Sequence, residues 1–581
     1  MSLKVWLRAR VRSNEFFLVS LAVALGVGSG FVVTLMSELA QLAHVLIYGI
    51  RIDVRLSAND VVNPWVAGAS LVGGGLILGL MEWYRRRRKI SAAVDPVEAN
   101  ALRGGRLSLR DSLIVSLQTL ISNGCGASVG LEAGYTQIGA GLSSLGGRFF
   151  NLRRSDLRII VGSGAAAAIA AAFDAPLTGA FYACELIVGT YTAASAAPIL
   201  AAAISATLVV RWLGTNTYSL NVPDLVIGDL RQYGLMLVLA CLISAIGIFV
   251  MRAAPHVERV FGHKLIPVWI RPVIGGVCVA AMAGITPQVL GAGHGAMVLD
   301  LSRDMLPSHI ALLIVLKLAA CLISLASGFR GGLFFASLFI GSLIGKLFAT
   351  LLHAYAPVLA FHVDPNVSAL TAMACLGVAI VGGPLTMSFL VLEMTHNLEL
   401  TAGVLASCLV TSMVVRQFFG HSFSTWRLHL RGETITGAHD VGWLRNLTVS
   451  RLMRTDAKTA PRRTTVEVCR QLHPLGSSRA VFLLDEEGHY AGTVLLADMF
   501  SSDFDVGADT REVSELAKYR ETTLTPSMNI KVAMACFDKA QSEILAVRDE
   551  ATNELLGFLT ESFARKRYVE EINRATEEVF Q

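Results

Sequence analysis

Up to about residue 440 the chain is organised as long uncharged runs separated by short polar breaks. Phe16–Met36 and Val61–Met81 each hold 21 residues without Asp, Glu, Lys or Arg, and Leu186–Val210, Gln232–Met251, Val273–Leu299 and Val367–Leu392 are similar or longer. A hydrocarbon core of roughly 30 Å needs about 20 apolar helical residues, so these runs predict membrane-spanning helices. Ser112–Leu131 and Ala133–Gly147 are shorter, rich in glycine and divided by Glu132. They predict broken helices, which are tolerated at membrane depth only inside protein or beside a cavity.

Composition sharpens the boundary. Residues 441–581 hold 40 of the 93 charged residues, and net charge is +9 before that point and −4 after it. With 53% hydrophobic residues and a mean hydropathy of +0.57, the chain is too apolar for a soluble enzyme of its length. The expected division is a membrane domain over 1–435 and a water-soluble domain over 436–581. Lys4, Arg8, Arg10 and Arg12 before the first run, and Arg85–Lys89 after the second, place both stretches in the cytoplasm. The nine cysteines form no CxxC pair and read as small buried hydrophobes, with no metal site and no disulfide framework.

The membrane part repeats itself. Gly126–Gly134, followed by Ile138-Gly139, matches Gly328–Ala336, followed by Ile340-Gly341, at an offset of 202. Ala175-Pro-Leu-Thr178, leading to Phe181 and Glu185, matches Gly383-Pro-Leu-Thr386, leading to Phe389 and Glu393, at an offset of 208. Two matches in the same order imply two homologous halves, about 110–210 and 310–415; the repeat alone leaves their relative orientation open. Gly/Pro-interrupted segments at corresponding places point to a transporter's substrate site. A helix that starts within the membrane exposes unpaired N–H groups and a partial positive charge, which favours an anion.

At these residues the chain resembles the CLC family of chloride channels and proton/chloride antiporters. Gly130-Leu-Glu-Ala-Gly134, Gly332-Leu-Phe-Phe-Ala336, Phe173-Asp-Ala-Pro-Leu177 and Gly383-Pro-Leu-Thr-Met387 carry the likeness, over about residues 15–435. The resemblance implies a polytopic α-helical homodimer with two inverted-repeat halves and one pore per subunit. Anions would be held by backbone amides near Gly130, Leu131 and Glu132 and near Gly332, Leu333 and Phe334. Glu132 matches the family's gating glutamate. An ionisable group at membrane depth is functional by default; here its carboxylate would occupy an anion's place until protonated.

Other positions depart from the family. Its antiporters carry a proton-relay glutamate directly after the position of Glu185, and Leu186 stands there. Its inner pore tyrosine falls on Ser424, or on Phe423 with a one-residue slip. Its serine-containing first pore motif is absent at Ala92–Pro96, and Asp95 is expected to point away from the path. Arg330 could concentrate anions in a vestibule or snorkel, and Glu185 and Glu393 are expected to satisfy exposed backbone N–H groups.

Residues 446–505 and 512–575 read as two αβ units, Val481–Asp485 with Gly492–Asp498 recurring as Ile544–Arg548 with Gly557–Phe563. They resemble a tandem CBS pair. Its nucleotide-binding Thr and Asp are only half retained in each unit, as Leu495 and Asp498 and as Thr560 and Phe563, so a structural role is favoured over adenine-nucleotide binding. The expected function is a gated chloride channel with a glutamate gate and no inner tyrosine, in a bacterial inner membrane with both termini cytoplasmic. A proton-coupled antiporter is the alternative, and a CBS-linked divalent-cation transporter a remote one. No enzyme, required cofactor or nucleic-acid partner is expected; chloride is the bound substrate.

Overall fold

In a computed structural model of the chain, the described residues are 14–214, 230–303, 305–356, 363–420, 426, 447–501 and 510–580. The chain divides into two compact units, Met1–Asp440 and Val441–Gln581; the expected boundary at residue 435 lies outside the described residues.

Among the described residues of the first unit, eight helices are long and apolar enough to cross a membrane. The most apolar windows of Arg154–Phe173 and Phe334–Tyr355 are 78% and 72% buried, against 33% for Glu15–Tyr48. The former are inner helices. The latter exposes Phe31, Leu35, Leu42 and Leu46, as a lipid-facing helix should.

Three runs expected as full spans are broken instead. Val273–Leu299 becomes a helix Arg271–Ala283, a tight turn Pro287–Val289 and a helix His294–Ser302. Pro287 lacks a donor, and Gly291 and Gly293 adopt positive φ, so no helix continues through them. Val367–Leu392 is cut into Pro365–Val381 and Pro384–Thr395 by Gly382 and Gly383, both at positive φ. Leu186–Val210 begins in a π turn, Ala183–Val188, and restarts as Ala193–Leu213 under a Thr192–Ser195 capping box. The break expected at Glu132 is present, between helices Leu109–Gly124 and Glu132–Phe149.

The two halves are built alike and meet through like parts. A Cβ on Gly139 would collide with the Gly164 carbonyl, and one on Gly341 would lie 2.6 Å from the Ala372 carbonyl. These are the same helix crossing in each half, closed by a missing side chain. Between the halves, Gly130 pairs with Gly332 as an antiparallel bridge, and the rings of Phe181 and Phe389 stack at 4.3 Å and 5°. Each residue meets its own counterpart, which is the signature of a two-fold, self-complementary interface.

Among its described residues the second unit has two sheets. In the first, β1 (Thr459–Pro461) runs parallel to β2 (Ala480–Leu484), which pairs antiparallel with β3 (Tyr490–Leu495). In the second, β4 (Ile544–Arg548) pairs antiparallel with β5 (Leu555–Thr560). Register breaks recur between Leu483 and Leu484 and between Val547 and Arg548, so the repeat seen in the sequence extends to the bulge. Two stretches pack outside the unit the sequence assigns them to. Val449 and Leu452 share a core with Leu524, Ile530 and Leu545, while Val513 and Leu516 pack with Val466 and Val481.

Candidate anion pathway

Four helices start within the membrane unit at the repeated motifs, and they start in two different ways. The first way is sealed. Glu393 accepts from the N–H groups of Leu177 and Thr178 (2.7 and 2.8 Å) and from the Thr178 hydroxyl. Reciprocally, Glu185 accepts from the N–H groups of Leu385 and Thr386 (3.0 and 2.9 Å) and from the Thr386 hydroxyl. Both carboxylates therefore satisfy exposed donors, as expected, and each does so in the opposite half. That crossing was not legible in the sequence.

The second way is open. Helices Glu132–Phe149 and Phe334–Tyr355 begin at Leu131 and Leu333; a missing cap side chain is common to all four starts, and what sets this pair apart is the space in front of it. Between them lies a cavity of 480 Å³. Its wall includes Glu132, Ala133, Gly332, Leu333 and Phe334, so the expected second-half segment and the gate position come together there. Gly130 and Leu131 are buried and are not wall residues, and Gly130 is held by its bridge to Gly332. Ser424 and Phe423 lie outside the described residues, as do Arg431–Glu433. Of that segment only Trp426 is described, its ring 4.9 Å from Phe419.

Glu132 is 5% exposed. Its Oε2 has no hydrogen-bond partner among the described residues, and its Oε1 lies 3.9 Å from Nε2 of His294. The side chain folds back over the glycines: a Cβ on Gly130 would overlap Oε2, and one on Gly332 would lie 3.3 Å from it. Glycine at 130 thus makes room for the carboxylate rather than for a turn. A buried carboxylate oxygen with no donor is costly to hold charged, which suits a group that protonates or moves away.

Charges gather on the same cavity. Arg85, Arg86, Arg271 and Arg330 line it together with Glu82, Asp95 and Glu98. Arg330, left between two roles by the sequence, stands on this wall, its backbone N–H bonded to the Ser122 hydroxyl at 2.9 Å. Asp95 corrects an expectation. It lines the cavity, and its Oδ1 accepts from the Val97 N–H at 2.8 Å and so caps the helix Pro96–Leu102. Leu186 sits in the π turn and is not part of the wall.

The sequence reading missed Tyr182, Thr136 and His294. Tyr182 and Thr136 line the cavity. The ring of His294 packs on that of Phe335, centroids 3.6 Å apart. A tyrosine three residues before a repeated glutamate, and a histidine inside Gly-Ala-Gly-His-Gly, were the available signals.

The family model described as voltage gated chloride channel matches residues 73–416. The chain belongs to the voltage-gated chloride channel family. That makes it a membrane protein of an anion-transport family. Within the family, a voltage-gated ClC-type chloride channel ClcB of Shigella boydii is 30% identical over 383 residues, covering 64% of this chain and 89% of the relative. A slow cyanobacterial Cl⁻/H⁺ antiporter shares the fold with a TM-score of 0.60 at 23% identity, over 71% of this chain and 97% of that one. A eukaryotic CLC transporter does so over 97% of this chain and 98% of its own, with a TM-score of 0.59 at 16% identity. That last likeness takes in the α/β region at the C-terminal end as well.

In the second unit, Asp498 forms an ion pair with Lys518 at 2.8 Å. Thr560 ends β5, and Phe563 is 40% exposed. Asp485, Glu487 and His489 bring potential metal-ligand atoms within 4.8 Å of one another. The turn itself explains that grouping, since the Asp485 carboxylate accepts from the Glu487 and His489 N–H groups.

Proposed function

We propose that this chain is a gated channel for small inorganic anions, chloride first, with Glu132 as the gate. The observation that carries the reading is the contrast among helix starts. Two are closed by carboxylates from the opposite half, and two open on a shared cavity beside a buried glutamate. Open starts offer amides and positive dipole ends to an anion. The Glu132 carboxylate competes for that place, and its protonation or displacement admits the anion. The apolar Leu186 cannot relay a proton from the inner side, which favours passive flow. A liposome experiment tests this. Purified protein under a chloride gradient, with no proton gradient, should bring the membrane to the chloride Nernst potential without moving external pH.

The second reading is proton/anion antiport. Asp95 favours it, because it places a carboxylate on the cavity that also holds Glu132. Uphill proton movement driven by the chloride gradient would establish antiport and overturn the channel. The cyanobacterial neighbour is a Cl⁻/H⁺ antiporter; the Shigella relative is named as a channel.

The protein works as a homodimer with one pathway per subunit, in a bacterial inner membrane with both termini cytoplasmic. The second unit is a CBS-like pair with a structural role, consistent with Asp498 being engaged by Lys518.

A further inference from the structure

Tyr182 stands where the two halves contribute to one cavity. It is the last residue of the helix Pro176–Tyr182, and the backbone then widens into the π turn Ala183–Val188. Single π turns inside helices re-aim side chains and cluster at functional sites. Here the side chain lines the cavity with Glu132, Thr136 and Phe334. Its ring meets the Phe334 ring edge-on, centroids 6.1 Å apart. Phe334 is the first residue of its helix, so a phenol from the first half lies beside an open helix start of the second.

Thr136 lines the same cavity. Its hydroxyl gives its proton to the Glu132 carbonyl at 2.9 Å and the Ala133 carbonyl at 3.3 Å, so it has no proton to offer the cavity. The Tyr182 phenol brings a neutral O–H donor to the wall of a cavity whose occupant, on the reading above, is an anion. A charge-assisted O–H bond to an anion is stronger than a neutral one.

We propose that the Tyr182 hydroxyl is a hydrogen-bond ligand of the transported anion. This rests on the anion-pathway reading but not on the role of Glu132. A single O–H donor favours compact anions with concentrated charge. Chloride and fluoride gain most from Tyr182, and large polarisable anions such as thiocyanate gain least.

Isothermal titration of the purified full chain with sodium chloride, beside liposome efflux, tests the assignment. Tyr182→Phe keeps the ring and its contact with Phe334. It should raise the chloride dissociation constant about tenfold and change that for thiocyanate little, with the thermal midpoint unmoved. Thr136→Val, at a wall hydroxyl whose proton is already given to two carbonyls, should leave chloride affinity unchanged, whereas a general loss of wall polarity would weaken both variants. Should Tyr182→Phe fold poorly, ¹³Cζ-tyrosine NMR of the unmodified protein replaces it: the Tyr182 resonance should move on chloride titration. Unchanged affinity in Tyr182→Phe, or an unmoved resonance, overturns the proposal while the anion pathway stands. Absence of any halide binding or flux in the unmodified protein overturns the pathway, and this assignment with it.

Discussion

Gly130 and Gly332 exchange both of their backbone hydrogen bonds, at 3.0 and 3.1 Å, across 202 residues of sequence. The pairing joins the two open helix starts directly. It also sets the Glu132 carboxylate over the junction, within 3.3 Å of where a Gly332 Cβ would be. Anion pathway and candidate gate therefore share one rigid base.

Removing the gate should free the pathway. Glu132→Gln abolishes the charge while keeping the shape, and Glu132→Ala removes both. Chloride flux into liposomes should rise in each and lose its dependence on pH between about 4 and 8. Flux that still follows pH as in the unmodified protein would remove Glu132 from the gate.

Gly130→Ala should act through the same carboxylate without touching it. The added methyl overlaps Oε2 of Glu132, and a carboxylate on a flexible side chain moves more readily than backbone. Flux should rise toward that of Glu132→Ala. The double variant Gly130→Ala/Glu132→Ala should show no further increase, a non-additivity that a general packing defect would not produce.

Glu185→Ala and Glu393→Ala should destabilise the membrane unit. Each leaves two part-buried N–H groups and a hydroxyl without their acceptor, at up to about 1–3 kcal/mol for each orphaned donor. Thermal unfolding in detergent should show both midpoints lowered by a similar amount, because the two seals are equivalent. Glu→Gln, which keeps one good acceptor, should fall between.

Acid should loosen the second unit locally. The N–H groups of Ala551 and Thr552 bind the Asp549 carboxylate and hold its pKa below the usual carboxylate range. A depressed folded pKa stabilises the turn above the unfolded value of about 3.9 and loses that contribution as pH falls through the folded value. Hydrogen exchange at Ala551 and Thr552, corrected for intrinsic rates, should speed up below about pH 4. In Asp549→Ala the protection should already be low at neutral pH.

What could be read in advance followed from local rules. The break before Glu132, the matching helix starts and the tail's paired αβ units all depend on spacing and on glycine or proline at fixed places. Uncharged length alone misled for Val273–Leu299 and Val367–Leu392, since an apolar run reports burial and not continuity. Gly291, Gly293, Gly382 and Gly383 held the correction. Asp95 was misjudged because its charge was weighed against an anion while its capping of Val97 was not. The Glu393–Thr178 and Glu185–Thr386 pairs depend on how the halves face each other, which neither spacing nor propensity encodes. Tyr182 and His294 were missed for the same reason: their partners Phe334, Phe335 and Glu132 lie far away in sequence.

The crossed seals also set an order of events during synthesis. Thr178 is made 215 residues before the glutamate that closes its helix start. Until Glu393 emerges and docks, the first half carries bare amides at membrane depth, where no water can satisfy them. Neither half is a finished product alone. The pathway is completed in a late joining step that closes both halves at once, and a chain interrupted between residues 186 and 393 leaves an insertion intermediate rather than a half-pore.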